Sequence, residues 1–131
     1  MATLTPKLTL TGTAADFGNA ISLSVTDNMT VAEPFVGFSR ITATTTGGDS
    51  IIAPSVDATR YVYIKHTGLN SAGGSSGADQ VKVETADGTE IMRISKDEFA
   101  FFPHHAGGAG LLQLEATANT VQVEYAYFTR A

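Results

Sequence analysis

Cysteine is absent from the chain. That excludes a disulfide framework and every thiolate metal site, so the fold must be held by burial and hydrogen bonding alone. Charge is scarce as well: 16% of residues are charged, against about 25% in an ordinary soluble domain. Only 8 residues are Lys or Arg, against 13 Asp or Glu, for a formal net charge of −5. The basic residues Lys7, Arg40, Arg60, Lys65, Lys82, Arg93, Lys96 and Arg130 lie far apart. Binding nucleic-acid phosphates takes clustered cations, and an anionic membrane surface asks for the same, so neither is an expected partner. No apolar run approaches the ~20 residues of a membrane-spanning helix. Met1 to Lys7 lacks the basic and apolar regions of a signal peptide. The expectation is a chain made in a cytoplasm and not secreted through such a signal. A sustained helical stripe is missing too; the best short helical stretch is Thr13 to Asn19, a turn or two at most.

Hydroxyls and glycine stand where charge is missing: 18 Thr, 9 Ser and 13 Gly among 131 residues, the length of one domain. Such an exterior has little charge to strip of water when it packs on a neighbour, which suits an assembly subunit. The dominant pattern is period two. Leu4, Leu8 and Leu10 alternate with Thr and Lys; Ile21, Leu23 and Val25 with Ser and Thr; Val81 and Val83 with Gln80, Lys82 and Glu84; Leu112 and Leu114 with Gln113 and Glu115; Val121, Val123, Tyr125 and Tyr127 with Gln122, Glu124 and Ala126. Alternation of this kind puts one strand face on a core and the other toward solvent or a partner. Turn chemistry separates the runs. Ala86-Asp87-Gly88-Thr89 predicts a tight hairpin between strands 81–85 and 90–94. Thr45 to Asp49 and Ser95-Lys96-Asp97 are further turns, and two longer loops run from Thr67 to Ala78 and from His104 to Gly110. About ten short strands at this spacing predict a single all-β domain over residues 1–131. The expected form is an antiparallel β-sandwich, jelly-roll-like, with another Greek-key sandwich or barrel as the alternative.

Motifs for chemistry are weak. Gly73-Gly74-Ser75-Ser76-Gly77 fits G-x-S-x-G, but that nucleophile works only on a strand-to-helix elbow, and here it reads as the tip of a flexible loop leading into a strand. His104 and His105 are adjacent, so on an extended backbone they point to opposite sides and one chain does not offer both to one metal. Only a ring of them around a symmetry axis suits a metal; the plainer reading is a polar stretch of an exposed loop. His66 reads as a surface residue. Asp97-Glu98 is the only adjacent acidic pair, placed to accept hydrogen bonds from turn N–H groups rather than to move protons. The expectation is no catalytic residue, no metal and no cofactor. Tyr61, Tyr63, Tyr125 and Tyr127 fall on matching parities of their strands. If those strands pair, they form either an aromatic contact patch for protein or sugar, or the edge of the core.

Three segments taken in order carry a resemblance: Tyr61-Val62-Tyr63-Ile64-Lys65-His66-Thr67-Gly68, Asp97-Glu98-Phe99-Ala100-Phe101-Phe102-Pro103, and Val121 through Phe128. The arrangement, with the opening Thr-Leu-Thr-Pro-Lys-Leu-Thr-Leu-Thr, resembles small virion structural proteins of tailed phages, especially T4-like phages of cyanobacteria. Asp97 stands where those proteins usually have Gly or Ala. The resemblance implies a non-enzymatic β-sandwich in the virion: a capsid decoration or cement protein, homo-oligomeric and contacting the major capsid protein. Its alternatives are a tail, collar, baseplate or fibre component, or a carbohydrate-binding module with a glycan as partner. The first twelve residues read as an edge strand or docking arm, because Pro6 cannot donate to a ladder. Its candidate docking residues are Leu4, Pro6, Leu8 and Leu10.

Overall fold

The structure, a computed structural model, describes residues 2–14, 18–50, 58–106 and 111–131. Part of the expected helical turn at 13–19 and part of the loop at 104–110 therefore lie outside the described residues. Eleven strands are found among the described residues: β1 (Ala2–Leu4), β2 (Lys7–Gly12), β3 (Ile21–Thr26), β4 (Met29–Ala43), β5 (Asp49–Ser50), β6 (Ala58–His66), β7 (Val81–Thr85), β8 (Glu90–Ile94), β9 (Phe99–Ala106), β10 (Leu112–Ala116) and β11 (Val121–Arg130). The class is all-β, and every resolved pairing is antiparallel. The strands group into two compact units, Met1–Ala32 with Ala131, and Glu33–Arg130.

In the larger unit, one sheet has the order β4-β11-β6-β9 and the other β5-β10-β7-β8. The two are the layers of a sandwich, because one apolar cluster draws on both. Val62, Ile64, Val121, Val123 and Tyr127 come from the first sheet, and Val81, Val83, Ile94, Leu112, Leu114 and Ala116 from the second. Their period-two spacing is what selects the buried face: on β6 and β10 every second residue is fully covered. The turn Ala86–Thr89 joins β7 and β8 as its Asp-Gly step predicts, with Gly88 at φ +84°. Asp97 adopts φ +67°, a left-handed conformation that Asp tolerates better than most residues and Gly adopts freely. The Glu98 carboxylate accepts the Ser95 N–H at 2.6 Å, the turn role its position suggested.

Three local expectations are corrected. The stretch from Thr67 to Ala78 is a folded loop rather than a flexible one. The Asn70 side chain accepts the N–H groups of Ala72 (3.0 Å) and Gly74 (2.9 Å), and the Ser76 N–H reaches the Gly68 carbonyl at 2.9 Å. His66 is not on the surface. It is fully buried, with Nε2 2.9 Å from the Asp79 carbonyl oxygen and Nδ1 accepting the Gly68 N–H at 3.0 Å. That pairing puts the ring proton on Nε2 and pins both ends of the loop to β6. His104 and His105 belong to β9 and not to a loop. They do point to opposite sides: His104 stands beside the fully buried Arg60, while His105 Nδ1 lies 3.2 Å from the Thr59 hydroxyl.

In the smaller unit, β1 pairs with residues 29–31 of β4, and β2 and β3 form a hairpin. The edge strand or arm expected over the first twelve residues is interrupted at Thr5-Pro6. The Pro6 carbonyl accepts the Asp27 N–H at 3.1 Å, and the Thr5 hydroxyl donates to Asn28 Oδ1 at 2.9 Å. Proline thus ends one pairing and lets the chain begin another. Leu4 consequently pairs with Met29, away from Leu8 and Leu10 in β2.

The loop geometry generates a stability prediction. Gly68 has φ +76°, and an added Cβ would come within 3.0 Å of both Asp97 Oδ1 and Lys96 Cε. Gly68→Ala should lower unfolding stability by about 1–3 kcal/mol through backbone strain and this close approach. Gly37→Ala, with nothing within 4 Å of its Cβ position, should leave the urea midpoint unchanged or raised. Equal midpoints for the two variants would contradict this account.

Candidate interaction surfaces

The register between β6 and β11 decides what the tyrosines do. Tyr125 lies opposite Ile64 and Tyr127 opposite Val62, whereas Tyr63 lies opposite Ala126 and Tyr61 opposite Phe128. Residues directly opposite share a face. Tyr125 and Tyr127 therefore turn inward, Tyr127 buried in the core and Tyr125 packed against it. Tyr61 and Tyr63 turn outward. The structure does not bring the four tyrosines into one patch: their parity matches within each strand, but the offset between the two strands separates them.

The outward set is aromatic all the same, through residues the sequence reading passed over. On β9, Phe101 lies opposite Tyr63 and Phe99 opposite Lys65. On β4, Phe38 reaches over β11 to Tyr63, with ring centroids 5.3 Å apart and planes at 79°. Ala126 sits between those two strands and is fully buried although it belongs to the outward set; the two rings meet over it. Tyr61 stacks on Phe101 diagonally, at 5.7 Å and 28°. Phe38 is 71% and Phe99 63% exposed, so the patch faces open solvent in the isolated chain. Its rim is charged: Arg40 approaches Glu124 at 3.9 Å. Desolvation, then the Glu124 charge and hydrogen bond, raise the Tyr63 phenol above its ordinary 10.0.

The outward face of the other sheet is different in kind. Lys82 donates to Glu115 at 2.6 Å, Arg93 pairs with Glu90 at 2.7 Å, and the Gln113 amide donates to the buried Glu84 at 3.3 Å. An antiparallel sandwich ordinarily shows water a polar exterior on both sides. Here one exterior follows the rule and the other is paved with rings.

A second apolar surface lies on the β2–β3 hairpin. Leu8 faces Val25, Leu10 faces Leu23, and Gly12 faces Ile21, so all five aliphatic side chains share one side. Lys7, Thr9, Thr11, Ser22, Ser24 and Thr26 take the other. The five aliphatics are 40–52% exposed. Leu8 and Leu10, expected to dock, are thus joined by Ile21, Leu23 and Val25, which the same alternation would have supplied had the two segments been paired. Leu4 and Pro6 are half-buried; Leu4 belongs to the β1–β4 pairing, and Pro6 lies between that pairing and the hairpin.

Beside the Thr67–Ala78 loop lies a shallow concavity of about 570 Å³. Several of its polar groups pair with one another: Thr120 donates to Ser71 at 2.8 Å and Asn119 to Asp79 at 3.1 Å. Ser75 Oγ accepts the Gly77 N–H at 3.1 Å, so the G-x-S-x-G serine caps its own loop. No group of three or more metal-ligating side chains occurs among the described residues.

The phenol at the rim of the patch is measurable. In an ultraviolet pH titration, the Tyr63 phenol should ionise above 10.0, and Tyr63→Phe should remove that step. Glu124→Gln should move it down only part of the way, since burial is the larger cause. A raised folded-state pKa favours the protonated form. The stability it contributes is therefore complete below pH 10.0 and is lost as pH climbs through the higher folded value. A Tyr63→Phe titration identical to wild type would refute the assignment. No protein-family model matches the chain, and no curated protein matches it.

Proposed function

We propose that this chain is a non-enzymatic structural subunit of a virion, a decoration or cement protein on the head of a tailed phage. The observation that carries the reading is the contrast between surfaces. One outer sheet face is charge-paired, while the other outer face and the hairpin are apolar and uncovered. Exposed contiguous apolar patches of this kind mark interaction surfaces. Covering each half-exposed aliphatic of the hairpin is worth on the order of 1 kcal/mol, so a neighbour has much to gain there. A two-stranded hairpin is at best marginally stable by itself, which makes a partner a condition of its order.

Other observations support the same reading. With β4 to β11 counted as first to eighth, one sheet runs 1-8-3-6 and the other 2-7-4-5. That interleaving is the order of an eight-stranded jelly roll, an architecture used by capsid proteins. The resemblance in the Tyr61–Gly68, Asp97–Pro103 and Val121–Phe128 segments favours the virion over other assemblies. Ring geometry speaks against a glycan platform. Tyr61 and Phe101 stack on each other and Phe38 meets Tyr63 edge to face, so each of these four rings gives part of its surface to a neighbouring ring rather than to a sugar.

Copy number tests the reading. Quantitative densitometry of purified particles should show the chain in hundreds of copies. A dozen or fewer would place it in the tail, collar or baseplate, and its absence from particles would overturn the proposal.

A further inference from the structure

The chain carries two uncovered apolar faces, and they differ. The hairpin face is wholly aliphatic and holds no ionisable side chain. The sheet face is aromatic; its rim carries Arg40 against Glu124, and Lys65 opposite both Glu124 and Phe99. We propose that the two faces are made for each other in trans: the β2–β3 hairpin of one copy lies on the aromatic face of the β4-β11-β6-β9 sheet of a second copy. The inference rests on the assembly reading above and names the contact by which copies join.

Size favours this occupant. Six residues at ~3.3 Å each make a hairpin face about 20 Å long and, with strands ~4.8 Å apart, about 10 Å wide. The aromatic face spans four strands, or about 14 Å between the outermost strand axes. Either face is a fraction of the ~800 Å² per partner of a standard interface, so one such contact makes a poor dimer. A hairpin-to-sheet contact is heterologous. Every copy gives one hairpin and receives one, and a closed ring doubles the area buried per subunit and covers both faces. Hairpin-on-hairpin pairing would leave Phe38, Phe99 and Phe101 bare. Membrane insertion does not suit the hairpin, because β2 and β3 have 6 residues each where a bilayer-spanning strand takes about 9–11.

The test uses the full chain and sedimentation velocity. Wild type should associate with rising concentration. Leu10→Lys with Leu23→Lys removes the hairpin face, and Phe38→Thr with Phe101→Thr removes the sheet face; each variant alone should sediment as a monomer. Mixed, the two should form a one-to-one complex, because the first keeps an intact sheet face and the second an intact hairpin. Circular dichroism checks folding, and if the double phenylalanine variant misfolds, Phe38→Thr alone takes its place in the same mixture. A wild-type monomer at every concentration overturns the proposal. So does either variant associating as wild type does, which would signal a like-on-like contact, and so does a mixture that stays monomeric. A chain abundant in particles yet failing these tests would sink the contact while leaving the proposed function standing.

Discussion

The pairing of β6 with β11 is the constraint on which the Glu33–Arg130 unit depends. Val62 and Ile64 face the core only because Tyr127 and Tyr125 stand opposite them, and Tyr63 faces out only because Ala126 does. A slip of one residue would send the valines of β11 outward and its glutamate inward, so burial itself enforces the register. The same register chooses the outer set of β9, through Phe101 opposite Tyr63 and Phe102 opposite Val62. One offset between two central strands thereby sets the composition of both the core and the aromatic exterior.

From that arrangement the sandwich acquires two unlike sides. Between the layers lies a core of small and medium aliphatics with one buried tyrosine, and its ends are closed by polar devices: His66 ties β6 to the Thr67–Ala78 loop, and Arg60 is enclosed at the other end of the same strand. The polar sheet face is finished, its charges paired among themselves. The aromatic face is unfinished in the same sense as the hairpin, since both leave apolar area to water that a neighbour would remove. Low overall charge serves such contacts, because few ions must lose their hydration when surfaces close.

The strands were legible from alternation, and the hairpin over 81–94 from its Asp-Gly turn, because both signals are local. The sandwich class followed from strand number and spacing. What escaped was long-range. Parity within β6 and within β11 is readable in the sequence, but the offset between strands so far apart in the chain is not, so the four tyrosines looked like one group and are two. Phe38 was hidden by a change of phase near Gly37: Val36 packs on the core, yet Phe38, two residues on, points outward. Glycine in a strand often marks such an irregularity. His66 looked like a surface residue because its partners, the Gly68 N–H and the Asp79 carbonyl, are backbone groups with no side-chain signature. Pro6 pointed to an edge strand or arm, but not to the break in pairing at Thr5-Pro6, nor to the chain beyond it turning back on Ile21–Thr26.

The central claim is that the aromatic sheet face and the aliphatic hairpin face are contact surfaces while the charge-paired face is not. Hydroxyl-radical footprinting of the wild-type chain, free and in its native assembly, tests this most directly. Modification of Phe38, Phe101, Leu10 and Leu23 should fall sharply on assembly. Ile91, exposed on β8 of the other sheet, should be modified equally in both states. Equal modification of Phe38 and Phe101 in the free and assembled chain would contradict the account.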